Sequence, residues 1–285
     1  MGEKIDVSVI ILTYNEEKNI ETAIKSVVKW ADEVIILDSG SQDGTIDLCN
    51  KYDVKIRYRE FDNYANQRRY AIKEIQHRNE WIFFLDADEY LPEELKSEIK
   101  LELNDPEYDG YYIKYRFYFL GKWIKYGSYY GTEILRLFKK TKADVSRDMN
   151  EHIFVDGKVG KLKNDFIHED KKGISEWIIK HNKYATYEAK ELIKFSKPSS
   201  LIKTSDNFGK LNGNQAQRKR WIREKIWNRL LPPLVRPFIY FSYRYFIRLG
   251  LLDGKTGLIF HFLHGLWYPL LIDVKYLEMK KKCAE

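Results

Sequence analysis

Residues 81–91, Trp-Ile-Phe-Phe-Leu-Asp-Ala-Asp-Glu-Tyr-Leu, constrain this chain more than any other stretch: an apolar run ends abruptly in Asp86, Asp88 and Glu89. A strand that is apolar on both faces is a buried central strand and needs a layer above and below it. Open α/β sheets bind ligands at the carboxyl ends of their strands, and hard carboxylate oxygens there suit a divalent cation carrying phosphates. Alternate residues of an extended segment point the same way, so Asp86 and Asp88 are expected to converge on one nucleotide–metal unit while Ala87 leaves room. Taken alone, Asp-x-Asp fits a solvated acidic turn ahead of a helix near Pro92 equally well.

The text before this strand alternates between strand and helix. Val7–Leu12 is a β-branched apolar run ending in Thr13-Tyr14-Asn15-Glu16, with Asn15 expected to cap the next helix. Ile20, Ala23, Ile24, Val27 and Val28 then fall at helical spacing. Val34–Leu37 forms the next strand and runs into Asp38-Ser39-Gly40-Ser41-Gln42-Asp43-Gly44-Thr45, and Val54–Tyr58 a third. A helix from Tyr64 to Gln76 carries Asn66, Gln67, Arg68 and Arg69. Strand and helix in turn predict a parallel sheet with right-handed crossovers.

After a helix over 92–103 the pattern changes. Tyr111–Leu120 and Thr132–Lys139 are aromatic and alternating, as antiparallel strands are, while residues 145–170 read as irregular and polar. A helix is expected over 173–195, with Ile174, Trp177, Ile178, His181, Tyr184 and Ala185 on its core face. Residues 196–217, rich in Ser, Lys, Asn and Gly, read as a linker. The expected division is a catalytic domain over 1–200 and a basic, aromatic helical extension over 201–285.

The 285 residues carry 49 Lys and Arg against 42 Asp and Glu, and this +7 excess points to anionic partners. It is concentrated between Arg218 and Arg248, where Glu224 is the only acid and Trp221, Trp227, Phe238, Tyr240, Phe241, Tyr243, Tyr245 and Phe246 are interleaved. Basic and aromatic residues together suit an anionic membrane surface, and packing against a second subunit uses the same residues. Thr256–Ile272 has no Asp, Glu, Lys or Arg but reads as short for a span and as lying on a surface. Cys49 and Cys283 lack metal-ligand spacing, and the N-terminus has no apolar stretch of signal-peptide length, so a reducing cytosolic setting is expected.

The ordered set Thr-Tyr-Asn-Glu-Glu, Asp-Ser-Gly-Ser-x-Asp-Gly-Thr and Asp-Ala-Asp-Glu resembles the family 2 glycosyltransferases of the GT-A fold. Within them it is most similar to the bacterial lipopolysaccharide core glucosyltransferases, which also show Gln-Arg before Asp-x-Asp and a late Leu-Asp-Gly, here Leu252-Asp253-Gly254. The strong motifs span residues 7 to about 170. The resemblance implies an α/β fold of GT-A type: a Rossmann-like parallel sheet followed by an antiparallel acceptor-side half. It implies that Thr13, Tyr14 and Glu16 border the base, that Asp38 accepts from a uracil-type imide, and that Gln67 and Arg68 face base or diphosphate. Asp86 would contact the ribose and, with Asp88 and His168, hold Mn²⁺ or Mg²⁺. Glu151 would be the general base of an inverting transfer; relatives tend to show His-Glu where this chain has Asn150-Glu151, and Asp148 is the substitute.

The resemblance thus implies a nucleotide-sugar donor, UDP-glucose by default, a glycan or lipid-linked acceptor in lipopolysaccharide or envelope assembly, and a place on the inner face of the cytoplasmic membrane. A GT-A nucleotidyltransferase is the first rival, but such enzymes begin with a Gly-rich basic phosphate loop, which residues 13–17 lack. The second is a nucleic-acid binding module in the basic C-terminal part; no RNA or DNA motif is present there, and no nucleic acid is expected as partner.

Overall fold

The structure is a computed structural model of the chain and describes residues 4–145, 153–196 and 231–282. Glu151, Asp148, all but Ser196 of the stretch 196–217 read as a linker, the domain boundary expected at residue 200, and Trp221, Trp227 and the six cations from Arg218 to Arg229 lie outside the described residues. The chain divides into two compact units, Met1–Ile124 with Tyr129–Lys172, and Lys125–Ser128 with Gly173–Glu285.

In the first unit β1 (Ile5–Thr13) lies between β2 (Ala31–Asp38) and β4 (Trp81–Asp86), parallel to both, and β3 (Lys55–Tyr58) extends the parallel half beyond β2. The crossovers contain α1 (Ile20–Val27), α2 (Thr45–Cys49) and α3 (Tyr64–Lys73). Beyond β4 the direction reverses: β8 (Glu133–Lys139) is antiparallel to β4, and β6 (Gly110–Phe119) is antiparallel to β8. The expected change from a parallel to an antiparallel half therefore falls between β4 and β8.

Strand alternation fills both faces of the sheet. Val7, Val9, Ile11, Val34, Ile36, Phe83 and Leu85 pack on one side with Ile20, Ala23, Ile24 and Val27 of α1. Ile10, Ile35, Leu37, Ile82 and Phe84 pack on the other with Ala71 and Ile72 of α3. Such two-sided burial requires the continuous apolar runs seen in the sequence.

Between β4 and α4 (Glu93–Asn104) the chain makes β5 (Glu89–Tyr90), which pairs with β12 (Phe166–Glu169) at the far edge of the sheet, beyond β6. Of residues 145–170, the described part from 153 onward is thus more ordered than its polar text suggests. β9 (Ala143–Val145) and β10 (Ile153–Val155) form a two-stranded antiparallel ladder, and β11 (Val159–Lys161) and β12 pair with β6. These strands are only three or four residues long, too short to show a period of two.

Other expectations are corrected locally. Asn19, not Asn15, stands at the N-cap of α1; Asn15 takes a left-handed conformation (φ 52°), and its side chain accepts from the Gln42 N–H at 2.8 Å. In the second unit α5 (Ile174–Ser196) forms as expected, but Ile174 and Ile178 are exposed and Trp177, Ala185 and Ala189 are buried. The Lys275 ammonium ties the helix Tyr268–Lys282 to α5, donating to Asn182 O at 2.8 Å and Thr186 Oγ1 at 2.6 Å. Thr256–Ile272, read as too short to span a bilayer, belongs to a continuous helical run, Gly250–Lys282, of 33 residues, long and apolar enough by length and composition to cross one.

Phe83 is fully buried at the centre of the sheet. Phe83→Ala should lower unfolding free energy by about 3–5 kcal/mol, the usual cost of removing a buried ring, measured by urea titration. A loss near zero would mean that the β4 core collapses onto the cavity.

Candidate active site

β1, β2 and β4 end side by side, with Thr13 in register with Asp38 and Leu12 with Asp86. The loops after β1 and β2 are laced together. Asn15 N–H donates to Ser41 Oγ at 2.9 Å, Glu16 N–H to Thr45 Oγ1 at 2.8 Å and Gly44 N–H to Glu17 Oε2 at 3.1 Å. Asp38 is buried and holds its own loop, its carboxylate accepting from the N–H groups of Gly40 (2.8 Å) and Ser41 (2.9 Å) and from Ser41 Oγ (2.5 Å). Gly40 has φ +91°, a backbone state that suits glycine, so the small residues of Asp-Ser-Gly-Ser have a local reason.

Within this mouth Thr13 is buried, and its Oγ1 has no hydrogen-bond partner among the described residues. A buried hydroxyl left without a partner is costly unless a ligand supplies one. Tyr14 is 54% exposed beside it, its ring open to a planar ligand. Glu16 pairs with Lys172 Nζ at 2.5 Å and accepts from Asn19 Nδ2 at 2.8 Å; burial raises its pKa, with Lys172 and Asn19 opposing. Gln67 is buried, donates from Nε2 to Ser39 Oγ at 3.0 Å and accepts from Arg59 at 2.5 Å, so it links α3 to the β2 loop.

The acidic strand end is a closed charge cluster. Asp86 Oδ2 accepts from Arg136 at 2.8 Å and Oδ1 lies 3.7 Å from Arg68 Nη2. Glu89 is buried, pairing through Oε1 with Arg136 at 2.6 Å and accepting the Asp86 N–H through Oε2 at 2.9 Å. Because β12 sets His168 opposite Glu89, the His168 ring reaches both Asp88 Oδ2 (3.5 Å from Nε2) and Glu89 Oε1 (3.7 Å from Nδ1). Asp86 thus pairs with two arginines, and Asp88 faces His168. Among the described residues no group of three or more His, Cys, Asp or Glu is placed to hold a metal ion.

Burial opposes ionisation of Asp86, yet Arg136 and Arg68 hold its carboxyl well below the usual range. At Glu89 burial prevails over Arg136 and raises the pKa. For His168 burial pulls the pKa down, but Asp88, Glu89 and Asp86 outweigh it and lift it to about 9. Arg136, only 4% exposed, and the buried position of Glu89 were missed in the sequence: a lone Arg in Ile-Leu-Arg-Leu-Phe reads as an outward-facing strand residue.

Residues 8–161 match the family model described as Glycosyl transferase family 2. The chain is 30% identical over 212 residues, covering 71% of itself and 77% of the relative, to the lipopolysaccharide core biosynthesis glycosyltransferase LpsC of Rhizobium meliloti. It is 28% identical over 254 residues to an uncharacterized glycosyltransferase of Rickettsia typhi, covering 85% and 80% of the two chains. Among solved structures it is similar to S. aureus TarS 1-349, at 12% identity and a TM-score of 0.46 over 99% of this chain and 92% of that one. The chain belongs to glycosyl transferase family 2 and is a glycosyltransferase, with a parallel-then-antiparallel GT-A sheet and C-terminal helices.

The raised pKa of His168 has a measurable consequence. Its stabilising charge is fully present below its ordinary value of 6.5 and is lost as pH rises through about 9. Metal-free protein should lose on the order of 2 kcal/mol between those limits, read from urea midpoints, and His168→Gln should flatten the profile. Equal slopes for the two proteins would show that the imidazole is not charged between these acids.

Proposed function

We propose that this chain is an inverting, metal-dependent hexosyltransferase. It takes a sugar from a UDP-linked donor, UDP-glucose by resemblance, and passes it to a glycan or lipid-linked acceptor in lipopolysaccharide or related envelope assembly. The observation that carries the reading is the meeting of Asp86, Asp88, Glu89, Arg68 and His168 at the end of β4, next to a buried Thr13 hydroxyl that has no partner among the described residues. The 30% identity to a lipopolysaccharide core glycosyltransferase supports the acceptor class.

The residues fit a divalent ion. Asp88 offers a hard carboxylate oxygen and His168 an imidazole nitrogen 3.5 Å away, and a bound diphosphate brings further oxygens. Asp88 and His168 would hold Mn²⁺ or Mg²⁺, with Asp86 beside them at the ribose. When bound, such an ion offsets the charge that builds on the departing nucleoside diphosphate. Arg68 adds a fixed positive charge on the same side. Tyr14 stacks on the base, Thr13 donates or accepts at its edge, Asp38 meets the imide N–H, Glu16 borders the base, and Gln67 holds the loop that shapes this pocket.

Glu151 takes the proton of the acceptor hydroxyl as its oxygen bonds to the anomeric carbon and the bond to the diphosphate breaks on the opposite face, inverting the configuration. The protein works on the cytoplasmic side of the membrane, its basic extension over 201–285 resting on anionic lipid or meeting a second copy.

A screen of nucleotide sugars with Mn²⁺ should raise the melting temperature most for a UDP-sugar. With that donor, Glu151→Gln should lower transfer roughly a hundredfold or more while UDP affinity stays unchanged. A near-normal rate in the variant, or a product with retained anomeric configuration, would overturn the single-base mechanism.

A further inference from the structure

Residues 231–267 of the second unit have their polarity reversed relative to a protein surrounded by water. Between Leu231 and Trp267 the buried positions are Arg236, Pro237, Arg244, Gly250, Asp253, Gly257, Phe260, His261 and Gly265; Phe260 is the one large apolar side chain among them. Over the same stretch Phe238, Phe246, Ile247, Leu249, Leu252 and Phe262 are 48–71% exposed, and the exposed charges are Arg248 and Lys255 alone.

Each buried charge in this stretch is answered from within the unit. Arg236 Nε donates to Asp273 Oδ1 at 2.8 Å, and Leu234 N–H donates to Asp273 Oδ2 at 2.9 Å. Arg244 Nε donates to Gly127 O at 2.8 Å, and its Nη1 lies 3.0 Å from His264 Nδ1. Asp253 accepts the N–H groups of Lys125 (3.2 Å) and Tyr126 (3.0 Å), which gives the Leu-Asp-Gly motif its part. Glycines let these segments close up: a Cβ at Gly127 would overlap the His261 ring, and one at Gly257 would overlap Asp253.

Charged side chains paired inward, small residues at the helix contacts and large apolar residues outward are the arrangement that an apolar solvent selects. A face that merely adsorbed to head groups would turn its cations outward, yet Arg236 and Arg244 are 6% and 3% exposed. The other half of the long helix is made for water: Tyr268–Lys282 ends in exposed lysines and is tied by Lys275 to α5, which exposes Glu176, Lys180 and Lys183. Only 28% of the most apolar stretch of Gly250–Lys282 is buried inside the protein.

We infer that residues 234–262 form a monotopic insertion face that enters the acyl region of a lipid bilayer from one side, without spanning it. The inference deepens the membrane-surface reading above, and it is independent of the donor and the metal. Insertion is driven by apolar area, so it resists salt, whereas adsorption through lysine and arginine is released by it.

Purified full-length chain is mixed with vesicles of phosphatidylcholine alone and of phosphatidylcholine with phosphatidylglycerol, then sedimented at low salt and at about 1 M salt, where charges are screened within roughly 3 Å. Insertion predicts pelleting with both compositions at both salts. Replacing Phe246, Ile247 and Leu252 by Glu should weaken binding roughly tenfold or more with UDP affinity unchanged, and Arg248→Glu with Lys255→Glu should change it far less. Should the triple variant fail to fold, an environment-sensitive dye on Ile247→Cys, in a Cys283→Ser background, decides: emission shifts blue on adding vesicles if the face inserts. Release by salt would overturn insertion while leaving surface adsorption standing. Failure to pellet, unchanged dye emission, or dimers that the triple variant dissociates would overturn it in favour of a face covered by protein.

Discussion

The guanidinium of Arg136, buried between Asp86 and Glu89, is the interaction on which the site depends. Two carboxylates three residues apart at the end of a buried strand repel and resist desolvation, and neither could stay in place without a cation between them. Arg136 comes from β8, the first antiparallel strand, so the change of strand direction beside β4 is what delivers the countercharge. Removing one member of such a buried group characteristically costs about 3–5 kcal/mol, because the remaining charges are left unpaired.

Topology supplies the rest of the cluster. The chain leaves β4 through Ala87 and Asp88 and returns to the sheet as β5 only at its far edge, where β12 holds His168 in register with Glu89. Asp88 therefore sits on the link between the parallel half and the edge pair, facing an imidazole from a segment eighty residues later. The three acids Asp86, Asp88 and Glu89 thus meet Arg68, Arg136 and His168, whose pKa they raise against the effect of burial.

The buried strands were legible because burial on two faces leaves an unbroken apolar run: Val7–Leu12, Val34–Leu37 and Trp81–Leu85 all lie within β1, β2 and β4. β10, β11 and β12 were not, since three or four residues carry no periodicity, and the β6 partner of β11 and β12 is distant in sequence. The same distance hid Arg136. In the C-terminal part the sequence misled in a consistent way: Arg236 and Arg244 read as surface cations because nothing local announces Asp273 or the Gly127 carbonyl as their partners. The role of Asp38 in holding Gly40 and Ser41 was half legible, since Asp-Ser-Gly-Ser is both a motif and a turn.

The central claim is that the Asp88–His168 pair, supported by the Arg136 cluster, is where metal and nucleoside diphosphate meet. Calorimetric titration of UDP, with and without Mn²⁺, into the wild-type chain and Asp88→Asn tests it most directly. The account predicts that Mn²⁺ tightens UDP binding to the wild type by roughly tenfold or more, about 1.4 kcal/mol, and that the variant keeps its metal-free affinity but loses this gain. An equal gain in both proteins would contradict it.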